Sequence, residues 1–306
     1  MIRPYRSRME SWAEPLHQGD GRASSEAEQA GLPFSLALFP VATHPLVTRL
    51  GPSVTYRLLA QRLYAYMDWT IVLETDAILP VVKAIVEDGY DLGGGLELQR
   101  DALKIVYDEG KHAWEAMSTK HEVIAMTGIF AEPSATPGYL HCLRRAREEA
   151  QPGDQTMIDL LFAIVSETLI TKMLTQLPRD ETVLPLVRST VLDHARDEAR
   201  HHLVFAQIIQ IAWARWAPDQ RARYAPLLAE FVAAFLQPDL GSIRRWLVAS
   251  SLPEVEARAV IEDVYSPSAV HQDMRDASLS GLYALRQAGL YDCQAFVDAL
   301  GIRGLV

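Results

Sequence analysis

Val191-Leu-Asp-His194-Ala-Arg-Asp-Glu198-Ala-Arg-His201 is the stretch from which the rest of the chain can be read. At about 100° per residue, His194, Glu198 and His201 fall near 0°, 40° and −20°, one narrow stripe over about two helical turns. One helix therefore offers three potential metal ligands on a single face. His202, the next residue, points some 100° away and is expected at the surface or behind the ligands.

Glu109 and His112 extend the pattern to a second helix. They stand three residues apart, differ by about 60° around the axis, and project the same way. A lone Glu-x-x-His pair is a weak signal. A third pair, Glu14 and His17, contains Pro15 in a loose stretch and is set aside. Two carboxylates placed where burial is expected carry more weight. Glu74 stands in Trp69-Thr-Ile-Val-Leu-Glu-Thr-Asp-Ala-Ile-Leu79, and Glu167 in Leu160-Leu-Phe-Ala-Ile-Val-Ser-Glu-Thr-Leu-Ile170. A helix apolar nearly all round is a central helix of a bundle. An ionised carboxylate on it must be neutralised, paired or bound to a cation.

In chain order the groups run Glu74, Glu109/His112, Glu167, Glu198/His201. One glutamate from each of two helices and a Glu-x-x-His from each of the other two is the donor set of a bundle-core site for two metal ions. Oxygen-rich donors with one or two imidazoles suit iron, with manganese as the alternative. Aligned surface salt bridges would account for Glu198 and Arg200 but not for Glu74 and Glu167 inside apolar runs.

The surrounding periodicity is helical. Helices are expected over 53–88, with Pro80 kinking or ending the first, then over 96–128, 139–149 and 155–177. Others are expected over 180–216, with an irregularity near Pro185, and over 219–237, 240–250, 253–263 and 270–288. Strand-like alternation is nearly absent, so the fold is expected to be all-α, a four-helix bundle core with additional C-terminal helices. Residues 1–30 read as a mobile arm, and 31–306 as a single helical domain.

The 306 residues are 49% hydrophobic and 22% charged, which excludes a wholly disordered chain. No run of eighteen apolar residues occurs, so no transmembrane helix is expected. A net charge of −10 argues against nucleic acid and anionic membranes as partners. Two cysteines, Cys142 and Cys293, make no disulfide framework, and a cytoplasmic location is the default.

With these motifs in place, Ser53–Phe205 resembles the para-aminobenzoate N-oxygenase (AurF-like) family of ferritin-like diiron carboxylate oxygenases. The added histidine carries the likeness: H-x3-E-x2-H, here His194, Glu198 and His201. The resemblance implies seven ligands, Glu74, Glu109, His112, Glu167, His194, Glu198 and His201, holding two iron ions. It also implies O2 as co-substrate, an external electron donor, and oxidation of a small-molecule amine to hydroxylamine, nitroso and nitro products in secondary-metabolite (antibiotic) biosynthesis. Tyr66, Trp69 and Thr70, one or two turns before Glu74, are expected to face the substrate cavity. They bring no cation for a substrate carboxylate, which leaves open a different amine, including one carried as a thioester on a carrier protein.

A diiron C–H hydroxylase or desaturase would use the same ligands, and a ferroxidase or iron-storage protein a similar set. A radical-generating subunit is disfavoured because Ala116 stands where a tyrosine would be needed. Asp108, Asp193 and Asp197 are candidates to orient the imidazoles. Leu- and Trp-rich helix surfaces past residue 203 suggest a homodimer.

Overall fold

The computed structural model describes residues 5–12, 30–169 and 171–306. Prolines set several helix starts, at first-turn positions where an amide hydrogen is dispensable. They begin α1 (Pro45–Thr48) and α2 (Pro52–Val72). α2 runs on through a π-helical segment, Leu73–Ile78, into α3 (Leu79–Val86). α4 (Gly95–Thr127) stops at Gly128, which takes the left-handed conformation at φ 66° that a side chain would disfavour. There follow α5 (Gly138–Glu149), α6 (Gln155–Thr168), α7 (Lys172–Gln176) and α8 (Pro185–Arg215). The C-terminal part holds α9 (Pro218–Leu236), α10 (Leu240–Ala249), α11 (Glu254–Val264), α12 (Pro267–Gln287) and α13 (Gln294–Ile302). The fold is all-α: among the described residues one isolated bridge, Leu32 with Val183, is the only β pairing.

The α2–α3 rod, α4, α6 and α8 make the central bundle. α4 lies along the whole rod, α8 packs on α4 and α6, and α9 covers α6 from outside, itself backed by α5 and α13. Along this bundle the apolar side chains separate into two clusters. One holds Leu58–Met67 of α2, Ala116 and Val123 of α4, and Val187 and Val191 of α8. The other holds Leu73–Ile85, Leu98–Ile105, Leu160–Val165 and Val204–Trp213. On α4 and α8 the residues between the clusters, 108–112 and 194–201, include Asp108, Glu109, His112, His194, Asp197, Glu198 and His201. The bundle therefore carries a polar layer between two dry cores.

The fold departs from the sequence reading at five places. Pro80 does not end the first helix, which changes to a π-helical segment just before it and continues to Val86. The ladder widens ahead of it, so that the amide of Leu79 bonds to the carbonyl of Glu74, and the missing proline donor falls within that looser turn. The helix expected over 155–177 stops at Thr168. There Ser166 and Thr168 bond back to carbonyls one turn earlier, and the Thr168 carbonyl accepts from His202 Nδ1 and Ser280 Oγ instead of continuing the helix. α12 crosses that end closely at Gly281, where a Cβ would stand 2.7 Å from Leu169 Cδ2. α8 starts at Pro185 rather than Asp180, because proline supplies its first-turn geometry, and α13 had no counterpart in the periodicity.

The fifth departure is the N-terminal arm, whose residues 1–4 and 13–29 lie outside the described residues. Over Tyr5–Trp12 the chain is not loose but seated on α4. Tyr5 and Met9 are buried, the Tyr5 hydroxyl donates to Asp101 at 2.8 Å, and the Trp12 indole donates to Asp108 at 2.9 Å. Among the described residues no helix is long and apolar enough to cross a membrane.

Candidate metal centre

Each element of the bundle delivers side chains to the polar layer at the positions expected from helical spacing. α4 presents Glu109 and His112 one turn apart, and α8 presents His194, Glu198 and His201 over two turns. Glu167 comes from the last turn of α6, and Glu74 from the π-helical segment. Six of the seven side chains are at most 12% exposed, and His194 is 13% exposed.

They form two four-residue groups whose ligand atoms lie within 4.8 Å of one another: Glu74, His112, His194 and Glu198, and Glu109, Glu167, Glu198 and His201. Glu198 belongs to both. Its Oε1 lies 3.2 Å from His194 Nε2, 3.4 Å from His201 Nδ1 and 3.6 Å from His112 Nδ1. Glu109 also spans the groups, with Oε2 at 2.8 Å from His112 Nδ1 and Oε1 at 3.0 Å from His201 Nδ1. Glu74 lies on the His194 side at 3.6 Å, and Glu167 on the His201 side at 3.6 Å.

The imidazoles are held from behind. His112 Nε2 faces Asp197 at 3.1 Å and His201 Nε2 faces Asp108 at 3.2 Å, so both turn Nδ1 inward. Lys111 and Arg200 pair with Asp197, and Trp12 with Asp108. Asp197 stays ionised: burial alone would raise its carboxyl, but the hydrogen bonds from His112 and Lys111 hold it well below the usual range. An ionised partner places the proton of His112 on Nε2 and frees Nδ1 for a cation. Asp193 is elsewhere, exposed and paired with Arg196. His202 spends its Nδ1 on the end of α6.

The electrostatics expose what is missing. Burial, reinforced by the neighbouring carboxylates, pushes Glu74 and Glu167 well above the ordinary range. In Glu109 and Glu198 burial acts upward too, but His201 together with hydrogen bonds from His112 to the first and His194 to the second outweighs it, and both are held low. His112 is raised to about 9, and His201 well above its normal value, because bonded carboxylates overcome their burial. His194 is lowered by burial and by His112, whose ring stacks on it at 4.1 Å. Glu74 Oε2, Glu109 Oε1, Glu167 Oε2 and His201 Nδ1 are buried and make no well-formed hydrogen bond, Glu109 Oε1 and His201 Nδ1 meeting only as an ion pair at 3.0 Å. Four orphaned donor atoms converging in one place are costly unless a cation completes them. Hard oxygen donors with three imidazoles fit a pair of transition-metal ions.

Beside His112 and His194 lies a small void of about 10 Å³, room for roughly one water, walled by Tyr66, Thr70, Glu115 and Thr190. Tyr66 and Thr70 thus face the centre. Trp69 does not: it packs edge-on to Tyr139 and Phe235 and lines a separate, larger cavity. Glu115, Lys111 and Trp12 were missed from sequence. Glu115 had a signal, since it stands three residues beyond His112 on the same face. The Trp213/Trp216 pair packs edge-to-face in the core and offers no contact surface.

The family model of p-aminobenzoate N-oxygenase AurF matches residues 12–288. Among curated proteins the chain is similar to the 4-aminobenzoate N-oxygenase of Streptomyces thioluteus. The two are 22% identical over 265 residues, covering 86% of this chain and 78% of the relative.

Proposed function

Because this chain belongs to the p-aminobenzoate N-oxygenase AurF family, we propose that it is a diiron oxygenase that transfers oxygen from O2 to the nitrogen of a small-molecule amine. The products are the hydroxylamine and, with further oxidation, the nitroso and nitro compounds. The supporting observation is the convergence of seven largely buried donors in two groups that share Glu198, four of whose atoms make no well-formed hydrogen bond.

In this reading Glu74, His112 and His194 would hold one ion and Glu167 and His201 the other, with Glu198, which belongs to both groups, and Glu109 available to either. The bound pair supplies the redox chemistry with O2, and iron is preferred over manganese for it. The chain's own residues do the rest. Asp197 and Asp108 fix the imidazole tautomers, the two apolar clusters exclude bulk water, and Tyr66 and Thr70 shape the only space beside the His112 and His194 rings among the described cavities. Family membership favours nitrogen over carbon as the oxidised atom. The relative's 4-aminobenzoate is not carried over, since no Lys or Arg lines the void beside His112 and His194 to hold its carboxylate. An external electron donor, a carrier-bound amine and a role in secondary metabolism belong to the same proposal. So does a cytoplasmic location, which suits two free thiols.

A homodimer is supported on a different surface from the one expected. Leu96, Leu103, Tyr107 and Trp114 form an exposed apolar stripe along α4, whereas Trp213 and Trp216 are buried.

Reconstitution with ferrous iron without oxygen, followed by metal analysis and exposure to O2 with a panel of aryl and alkyl amines, tests the reading. Two irons per chain and an oxygen-dependent mass gain at nitrogen are expected, with His194→Ala losing iron. A parent that binds no iron, or a fully active His194→Ala, overturns it.

A further inference from the structure

The larger cavity encloses about 800 Å³ and shares Tyr66 as a wall with the void beside the metal-ligand cluster. Most charges on its lining are matched or open to solvent. Asp68 accepts from Lys120 and Ser134, Lys172 donates to Asp273, and Asp239 caps α10 through Ser242. Asp76, Glu132 and Arg144 are exposed.

Arg62 is different. Its guanidinium is surrounded by protein, while the residue as a whole is partly exposed and lines the cavity. It stacks over the Phe34 ring at 5.0 Å, and among the described residues its hydrogen bonding is limited to a 3.9 Å contact with Met173 Sδ. It forms no ion pair among the described residues, and Asp239 acts on it only from longer range. A guanidinium stays protonated at neutral pH, so an enclosed one without a counter-ion carries a desolvation cost that a bound anion would offset.

We propose that Arg62 anchors an anionic end of the substrate, a carboxylate or phosphate monoester, while the amine at the other end reaches the metal centre past Tyr66. This rests on the N-oxygenase reading above. Arg62 precedes Tyr66 by about 6 Å of helix axis and Glu74 by about 18 Å. Tyr66 lines both the larger cavity that Arg62 lines and the void beside His112 and His194. That axial spacing favours an extended substrate over a single aromatic ring. The planar fork of the guanidinium matches carboxylate and phosphate oxygens in pairs.

The probes are para-aminophenylalkanoic acids of increasing chain length, their methyl esters, and the corresponding aminophenylalkyl phosphates. Binding to the metal-free protein is measured by calorimetry, so that it is read independently of turnover. The parent should bind the longer acids or the phosphates about 10- to 100-fold more tightly than the esters. Arg62→Gln should erase that preference without weakening ester binding, and Arg62→Lys should keep part of it. Equal binding of acids, phosphates and esters by the parent overturns the proposal, whether or not Arg62→Gln folds. So does a folded Arg62→Gln that still discriminates. Turnover of the same compounds by the iron-loaded protein is scored separately: charge-dependent binding without N-oxidation sinks the N-oxygenase reading and leaves the anchor standing.

Discussion

Loading the centre with two divalent ions should expel four protons. Without metal, Glu109 and Glu198 are ionised, Glu74 and Glu167 are held protonated, His112 and His201 are cationic, and His194 is neutral. The cluster is then electrically balanced. With two divalent ions bound, all four carboxylates are ionised and all three imidazoles neutral, and the cluster is balanced again. The four displaced protons carry the charge that the two ions bring. An anaerobic ferrous titration near neutral pH, in a pH-stat or by calorimetry in buffers of different ionisation heat, counts them directly.

The sign follows from the raised groups. Protons compete hardest at low pH, so metal affinity rises with pH through the His112 titration at about 9. For stability the same group acts in reverse. The contribution of His112 to the metal-free fold is complete below its unfolded value near 6.5 and is lost as pH climbs through about 9. Chelated protein should therefore lose melting temperature across that window relative to loaded protein. Glu167→Leu should lower the proton count to three. It should also leave metal-free stability unchanged or higher, since Glu167 is neutral there and His201 keeps Glu109 and Glu198. Release of two protons or fewer refutes the charge balance. Loss of more than about 3 kcal/mol in metal-free Glu167→Leu would show an ion pair of the resting fold instead.

Three further outcomes are expected. Asp197→Asn should weaken metal binding by about 10- to 100-fold, and the His112 titration followed by NMR should move down from about 9. Saturating iron at a thousand times its dissociation constant should stabilise the parent by about 4 kcal/mol, read as a shift in urea midpoint that His201→Ala abolishes. Trp114→Arg should shift a dimer toward monomer in sedimentation without changing the iron content, because its side chain is 62% exposed on the outer face of α4.

The bundle and its donor set were legible because buried carboxylates break the apolar pattern that surrounds them. Glu74 and Glu167 stand out against Leu, Ile and Val neighbours, and the stripe on α8 follows from spacing alone. What was not legible depends on partners far away in the chain. Thr168 ends α6 because His202 and Ser280 take its carbonyl, and Trp12 is ordered because Asp108 lies 96 residues on. Trp69 was grouped with Tyr66 and Thr70 by proximity to Glu74. Its five-residue offset, about 140° around the axis, already directs it elsewhere. Arg62 bears no local mark, since its isolation is created by the cavity wall.

The widened turn at Leu73–Ile78 makes that segment length-locked. Deleting one residue there would restore a regular ladder but spin Glu74 by about 100° against Val81, Val82 and Ile85. Either the carboxylate or the valine face could then be seated, not both. Substitutions that keep the count leave this choice alone, so diverging copies of this chain can change the letters of the segment far more freely than their number.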